Sequence, residues 1–328
     1  MSFIIASALN TFAAENFTAK DNKQWAEDSG WFYEWQNTDF SKASLNLREI
    51  MSGGVAKDAI RSIDNPEFTA VKNDKDITKF EPVITVFKNG KAKAYPLRYL
   101  TRHEIVNDIF EDQPIAVTFC PLCNSSVVFE RVLDGVPVEF GTTGKLHNSD
   151  LVMYDRKTQT WWQQYNGMGI VGELTGAKLK VVPSRLESLT LFKQRFPNGE
   201  IMTAPNGNSS GYGHNPYTRY DSSEAPFLYR GDYEGKIPAL ARVVVVGNVG
   251  YALSYLSKIE TLEKDNIRIT WQAGQNSALD SAQISNGKDV GNIVVQQKQD
   301  DKWQNIPYMV SFAFAFKAFN PDQEIITE

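Results

Sequence analysis

Two separate stretches of this chain carry the same pattern of valine, glycine, alanine and tyrosine. Val83–Leu97 (VITVFKNGKAKAYPL) aligns without gaps on Val243–Ser257 (VVVVGNVGYALSYLS). A second pair follows in the same order along the chain, namely Phe192–Thr203 (FKQRFPNGEIMT) and Phe316–Thr327 (FKAFNPDQEIIT). Because self-similar segments that recur in the same order are typical of repeated structural units, the sequence predicts two related halves that arose by internal duplication.

Short β-strands dominate the predicted elements. The first repeat segment is predicted to be a β-hairpin, because β-branched runs flank Asn89-Gly90, a dipeptide favoured in two-residue turns. Further short apolar runs bounded by turn residues follow. Helical spacing is found in Arg98–Phe110 and Glu187–Phe196. The predicted fold class is therefore α+β, rich in β-structure, with short helices.

A chain of 328 residues exceeds the usual size of one domain. We predict a first, cysteine-containing half over residues 15–205, a linker over 206–240 and a second half over 241–328. The linker is indicated by Ala204–Tyr220 (APNGNSSGYGHNPYTRY), which is rich in glycine, asparagine, serine and proline.

The chain begins with a candidate export signal. Phe3–Ala14 (FIIASALNTFAA) is too short to span a bilayer and ends in Thr11-Phe12-Ala13, which is similar to the cleavage site of such signals. The basic residues that normally precede the apolar run are missing. We interpret residues 1–14 as the remnant of an export signal and expect a periplasmic or secreted protein. An ordinary N-terminal element in a cytoplasmic protein is the alternative.

The charge balance argues against anionic partners. The chain has 34 basic and 39 acidic residues, a formal net charge of −5 and a pI of about 5.4. No global positive field is available to attract nucleic acid. No other stretch is long and apolar enough to cross a membrane. We expect a small molecule or a metal ion as the partner, and the sequence does not identify a protein partner.

Both cysteines lie in one short segment, Cys120-Pro121-Leu122-Cys123. The β-branched runs on either side predict a turn between two strands, and Pro121 suits the first corner of such a turn. The two thiols then form a metal site, a redox dithiol or a disulfide. The redox alternative normally requires a helix start after the first thiol, and here a strand follows instead.

The internal repeat favours a chemical role for the thiols. Val117–Ser126 (VTFCPLCNSS) can be laid on Ile269–Ala278 (ITWQAGQNSA), which places Cys120 opposite Gln272 and Cys123 opposite Gln275. The second turn is therefore expected to form without sulfur. The segment between hairpin and turn is shorter in the second half, so the helix is expected to be cut back there, with no histidine opposite His103.

Four segments resemble, in order and spacing, the bacterial and archaeal family catalogued as domain of unknown function 3179: AKAYPLRYLTRHEIVND, VTFCPLCNSSVVFER, NSDLVMYDR and TWWQQYNGMGIVGE. The likeness extends from about Gly53 to Phe319. The family implies no particular activity, and its members often begin with an export signal. The motif residues that carry over are His103, Glu104, Cys120, Cys123, Asn148–Leu151, Trp162 and Gln164. The chain departs from the family pattern at Ala59 and Arg61, where glycine and proline are usual.

Cys120, Cys123 and His103 form the best candidate metal site. Two thiolates and an imidazole provide three soft to borderline ligands and leave one position open, a set that suits copper or zinc. His147 is a further candidate ligand. The acids Glu104 and Asp150 are candidates for acid–base catalysis or for holding a ligand imidazole in place.

The sequence therefore predicts an exported metal-binding protein with a Cys-x-x-Cys plus histidine site, and a redox or metal-dependent enzymatic role is left open. One alternative is a thiol–disulfide redox protein that uses Cys120 and Cys123. The other is a non-enzymatic binding module in which the pair forms a structural disulfide.

Overall fold

The computed structural model describes residues 17–328, so the candidate export signal at 1–14 lies outside the described residues. The α-helices within this range are short: α1 (Ala19–Asp28), α2 (Trp31–Glu34), α3 (Leu97–His103), α4 (Leu189–Arg195), α5 (Leu253–Ile259) and α6 (Ala313–Phe319). None of the helices in residues 17–328 has the length and apolar character needed to cross a membrane.

Strand residues outnumber helical residues, at 38% against 18%, which confirms the predicted β-rich fold with short helices. The strands are β1 (Ile50–Ser52), β2 (Phe68–Ala70), β3 (Pro82–Lys88), β4 (Lys91–Pro96), β5 (Ile105–Phe110), β6 (Gln113–Cys120), β7 (Ser125–Glu130), β8 (Val132–Leu133), β9 (Val136–Pro137), β10 (Phe140–His147), β11 (Asp150–Asp155), β12 (Trp161–Gln163), β13 (Gly169–Val171), β14 (Ser184–Ser188), β15 (Glu200–Met202), β16 (Arg242–Val246), β17 (Val249–Ala252), β18 (Thr261–Lys264), β19 (Ile267–Gln272), β20 (Asn292–Gln299), β21 (Lys302–Asn305), β22 (Met309–Phe312) and β23 (Ile325–Ile326).

The larger sheets are arranged like the blades of a five-bladed propeller. Their strand orders are β1-β10-β11-β12-β13, β14-β3-β4-β15-β2, β22-β16-β17-β23, β18-β19-β20-β21 and β5-β6-β7, and β8 pairs with β9 alone. Two of these sheets share one plan. In each, an antiparallel hairpin (β3–β4 or β16–β17) has an antiparallel strand on one side and a parallel strand on the other.

The hairpin predicted around Asn89-Gly90 is confirmed, and both turn residues have positive φ, 52° and 78°. The helix predicted over residues 98–110 is correct only in its first half. Helix α3 ends at His103, and Ile105–Phe110 forms β5, which pairs with β6. The β-branched side chains of β5 favour the strand, and sheet pairing overrides the helical spacing. Accordingly Ile109, which would face the core in a helix, is 57% exposed.

The helix predicted over 187–196 is confirmed as α4, which begins slightly later than expected. Glu187 and Ser188 still belong to β14. The Ser188 hydroxyl accepts a hydrogen bond from the backbone N–H of Leu191 (3.4 Å), so it satisfies one of the free N–H groups at the start of the helix.

The same order of elements occurs twice. The β3–β4 hairpin and α3 lead into the β5–β6 hairpin, and the β16–β17 hairpin and α5 lead into the β18–β19 hairpin. Both helices have 7 residues and are followed directly by a glutamate with the same uncommon backbone conformation, Glu104 (φ 60°) and Glu260 (φ 58°). The expectation that the second helix is cut back was wrong, because the shortening lies in the two hairpins instead.

The largest hydrophobic core contains side chains from both of these units and from the segment between them. Phe119 on β6, Phe312 on β22 and Tyr220 belong to it. The backbone N–H of Phe312 donates to the carbonyl of Cys123 (2.9 Å), and the Tyr220 hydroxyl donates to the carbonyl of Leu122 (3.0 Å). The cysteine turn is therefore held in place by residues far from it in sequence.

Tryptophans near the start of the described chain form a second core. The fully buried rings of Trp35 and Trp161 lie 5.1 Å apart, and Trp31 packs on Trp161 at the same distance. The rings pack on one another away from solvent, so this cluster stabilises the sheet that contains β10–β13.

Candidate metal centre

The cysteines lie on a tight turn between two paired strands, as predicted. Strand β6 ends at Cys120 and β7 begins at Ser125, and these two residues face each other in the antiparallel pair. The backbone N–H of Asn124 donates to the carbonyl of Pro121 (3.2 Å) and closes the turn. Asn124 has a φ of 51°, a left-handed conformation that asparagine tolerates better than most residues.

A second turn faces the first. Strands β10 and β11 pair through His147 and Asp150, and the two residues between them, Asn148 and Ser149, both have positive φ. This is the type I′ hairpin geometry, for which asparagine is suited. Its carbonyls approach the sulfurs: the thiol of Cys120 donates to Ser149 (3.7 Å) and that of Cys123 to Asn148 (4.0 Å).

Asp150, at the end of the second turn, completes a set of three donor atoms. One carboxylate oxygen of Asp150 and the sulfurs of Cys120 and Cys123 all lie within 4.8 Å of one another, and all three residues are buried. Hydrogen bonds fix the carboxylate. It accepts from Gln163 Nε2 (2.6 Å) and the backbone N–H of Tyr165 (2.9 Å). The donor set is thus held in one arrangement by both strands and side chains.

Burial makes the charged forms of these acids unfavourable. It raises the pKa of Asp150 to about 6 and raises the pKa of both thiols, that of Cys123 well above its ordinary value. Within residues 17–328, no lysine or arginine forms an ion pair with Asp150. Without a cationic partner, burial favours the protonated forms of these groups, and a cation bound among them would favour the charged forms.

Glu104 lies beside this group. It follows α3 directly, and its backbone carbonyl accepts a hydrogen bond from Phe119 (2.8 Å), next to Cys120. Its side chain and that of Cys120 line the same cavity of about 130 Å³. Burial, and then the charge of Asp150, raise the pKa of Glu104 to about 8. Glu104 is therefore protonated near neutral pH and can give up a proton within this cavity.

The structure does not bring His103 into the donor set. Its Nδ1 donates to the backbone carbonyl of Arg61 (2.6 Å). Since Nδ1 holds the proton, Nε2 of the neutral ring accepts from the Tyr212 hydroxyl (2.6 Å). Burial lowers the pKa of His103, which favours this neutral form. Both ring nitrogens already have partners, and the ring lines a different cavity from the one beside Cys120.

His147 is near the centre but contacts it indirectly. Its Nδ1 donates to Gln163 Oε1 (2.6 Å), and Gln163 in turn donates to Asp150. Its Nε2 lies 3.6 Å from a carboxylate oxygen of Glu49. His147 therefore helps to orient the amide that orients Asp150, and it is absent from the three-residue donor set.

Sequence reasoning placed Asp150 among candidate catalytic acids and did not foresee it as a donor beside the sulfurs. The available signal was the Asn148-Ser149 turn, which reverses the chain and brings Asp150 back to the level of His147. Motif residue Gln164 also contributes, because its Oε1 accepts from the Ser125 hydroxyl (2.7 Å) beside the cysteine turn.

A family model described as "Protein of unknown function (DUF3179)" matches residues 57–323. This span includes the cysteine turn, the facing β10–β11 turn and Glu104. No curated protein and no solved structure matches this chain.

Proposed function

We propose that this protein, which belongs to the family described as a protein of unknown function (DUF3179), binds a metal ion through Cys120, Cys123 and Asp150. The observation that carries the proposal is the placement of three buried donor atoms within 4.8 Å of one another. Two sulfurs and a carboxylate oxygen on rigid, facing turns need little rearrangement to close around one ion.

The charges of the site support a cation. A bound divalent ion needs deprotonated thiols and an ionised carboxylate, and it supplies the positive charge that the described surroundings of Asp150 lack. The raised pKa values of these groups describe the metal-free protein. We therefore expect metal uptake to release protons and to strengthen as the pH rises.

The donor set favours zinc over copper. Zinc accepts thiolate and carboxylate ligands together, whereas Cu(I) prefers sulfur donors. Two thiolates and one carboxylate leave a fourth position open in a tetrahedral site. We propose zinc as the natural ion, with copper as the alternative.

Glu104 supports an enzymatic role. A bound zinc ion supplies Lewis acidity. Glu104 is buried, holds a proton near neutral pH and lines the cavity that reaches Cys120. It is thus suited to donate or accept a proton for a molecule in that cavity. We propose Glu104 as the acid–base group, and Asp150 as a ligand rather than a second acid–base group.

Metal content tests the proposal. Protein purified without chelator or affinity metal is analysed by mass spectrometry of the bound metal, together with free-thiol titration. We expect one metal ion per chain in the wild type, a loss in Cys120→Ser and Asp150→Asn, and full retention in His103→Ala. Loss in His103→Ala with retention in Asp150→Asn would instead support the histidine site predicted from the sequence.

The thiol–disulfide alternative has less support. Both cysteines are free and buried in the structure. Burial raises the pKa of Cys120, whereas reactive dithiols have lowered thiol pKa values. A wild-type protein without metal, whose thiols oxidise and reduce reversibly, would favour this alternative.

We also propose that the two units arose by duplication and that only the first kept a metal site. The matching sheet plans, the 7-residue helices and the conformation shared by Glu104 and Glu260 support a common origin. The matched backbone bonds Phe119 N to Glu104 O and Trp271 N to Glu260 O, both 2.8 Å, support the pairing of Cys120 with Gln272. The tight second turn expected from the sequence does not form, because β19 ends at Gln272 and its partner strand β20 begins only at Asn292. The amide side chain of Gln272 is a poor replacement for a thiolate ligand.

Export remains a proposal that rests on the sequence of residues 1–14. Cell fractionation of the full-length chain, with and without these residues, tests it. Recovery of the full-length chain in the periplasm or medium supports export, and recovery only in the cytoplasm contradicts it.

A further inference from the structure

The cavity beside Cys120 has mostly apolar walls, and an acid and a thiol lie at its inner end. Apolar side chains from several distant segments form the walls, among them Ile60, Leu122, Leu146, Leu151 and Leu228. Glu104 and Cys120 line the same cavity, together with the polar residues Thr142, Lys145 and Tyr217. A molecule in this cavity therefore contacts mostly apolar groups, with Glu104 and Cys120 at the buried inner end.

The cavity leads from the surface to the candidate metal centre. Phe227 and Val55 line it and are 61% and 38% exposed, whereas Cys120 is only 2% exposed and Glu104 is buried. The exposed pair marks the outer rim and the buried pair marks the inner end.

The segment Phe227–Leu228, which we call the roof, is linked by hydrogen bonds to the cysteine turn and to the facing β10–β11 turn. The Phe227 carbonyl accepts from the Ser149 hydroxyl (2.7 Å) on one turn. The Phe227 N–H donates to the Tyr220 hydroxyl (3.3 Å), which donates to Leu122 on the other turn. Leu228 has a φ of 54°, a conformation that is uncommon for a leucine and costs about 1 kcal/mol or more.

We propose that this cavity is a binding site for a small, uncharged organic molecule with an apolar body and one polar atom, which points to Cys120 and Glu104. The proposal deepens the metal-binding function and rests on it, since the polar atom would lie beside the bound ion. Access is at the rim, beside the roof.

Size and charge define the ligand class. An apolar cavity of about 150 Å³ holds a molecule the size of benzene, so a cavity of about 130 Å³ takes about six non-hydrogen atoms. The one cationic residue of the described lining is Lys145, whose amine lies 3.8 Å from a Glu34 carboxylate oxygen. In the metal-free protein an anionic ligand would lose its hydration without gaining a free positive partner. In the metal-loaded site, two thiolates and a carboxylate outweigh the charge of a divalent ion, so a neutral ligand fits better.

The test uses the metal-free protein, prepared with chelator, and follows the labelling of each cysteine by mass spectrometry. The reagent is methyl methanethiosulfonate, a small neutral compound. The thiolate sulfur attacks its sulfenyl sulfur, a disulfide forms and methanesulfinate leaves. We expect Cys120 to react before Cys123, because Cys120 lines the cavity and Cys123 does not.

Cavity variants separate entry through this site from general unfolding. Val55→Trp fills the rim and should slow labelling of Cys120 roughly tenfold, whereas Val181→Trp, at a valine that is also 38% exposed, should have no effect. Phe227→Ala removes part of the roof and should speed labelling roughly fivefold. Equal slowing by both tryptophan variants, or no response to any of the three, would overturn the proposal.

Ligand class is tested by protection. Cyclopentanol and butanoate have the same number of non-hydrogen atoms, and only the first is neutral. We expect cyclopentanol to slow Cys120 labelling and butanoate to have no effect. Protection by butanoate, with or without protection by cyclopentanol, or protection by neither compound, would refute the assignment of an uncharged ligand. Because these assays need no metal, they can fail while metal binding holds, and they can succeed while metal binding fails.

Discussion

In the metal-free protein, Glu104 should make the fold less stable as the pH rises. Burial and the Asp150 charge raise the pKa of Glu104 from an ordinary 4.5 to about 8. A carboxyl whose pKa is raised by folding contributes most to stability at a pH where it is protonated in both the folded and the unfolded protein. This contribution is fully present below about pH 4.5 and is lost as the pH rises toward about 8.

The size of the effect follows from the two pKa values. Each unit of difference corresponds to about 1.4 kcal/mol. Between about pH 5.5 and about pH 8, ionisation in the unfolded chain but not in the folded chain lowers the free energy of unfolding by about 3 kcal/mol. Glu104→Gln keeps the size and shape of the side chain, removes the ionisation, and should abolish this part of the slope.

The chain offers a matched control. Glu260 follows α5 just as Glu104 follows α3, and the two glutamates have the same backbone conformation. The side chain of Glu260, however, is exposed. Urea unfolding of wild type, Glu104→Gln and Glu260→Gln is measured at both pH values with chelator present. We expect only Glu104→Gln to flatten the profile. If the free energy of unfolding changed equally with pH in wild type and Glu104→Gln, the argument would be refuted. Asp150 and the thiols are present in all three proteins, so a difference between the proteins does not come from them.

Two further substitutions test the packing around the site. Asp221→Asn should lower the free energy of unfolding by about 3–5 kcal/mol, because it leaves the buried guanidinium of Arg242 without its carboxylate partner at 2.9 Å. Urea unfolding measures this change, and a value below about 1 kcal/mol would contradict the prediction. Trp161→Ala should cost about 3–5 kcal/mol, since the ring is fully buried in the second core, yet it should leave metal content unchanged. Loss of metal in a folded Trp161→Ala protein would show that this core and the metal site are coupled.

The cysteine turn and the hairpin at Asn89-Gly90 were predictable because their signals are local. A proline corner and an asparagine with positive φ bring the chain around within a few residues, and β-branched neighbours set the strands. These signals carry no information on which distant side chains the turn will face.

Asp150, the third donor, could not be predicted, because local signals do not show which distant residues meet the cysteine turn. His103 and Glu104 are adjacent in sequence, but Glu104 follows the helix with a φ of 60°, and the two residues line different cavities. Helical spacing does not reveal this change of direction. Asp150 reaches the sulfurs through the packing of two separate sheets, which only the tertiary structure determines.

The segment at 206–240 shows how composition can hide a role. Its glycine, asparagine and serine content predicted a linker, but Tyr217 and Phe227 line the cavity beside Cys120 and Tyr220 bonds to the cysteine turn. The aromatic residues among the small ones were the available signal, because buried aromatic rings anchor irregular segments to a core.

X-ray absorption at the metal edge tests the central claim most directly, because it counts the atoms bound to the ion. For zinc-loaded wild-type protein the proposed site predicts two sulfur neighbours at about 2.3 Å and oxygen neighbours at about 2.0–2.2 Å. No imidazole scattering is expected. A spectrum without sulfur neighbours, or one with the pattern of a bound imidazole, would contradict the assignment of Cys120, Cys123 and Asp150 as the ligands.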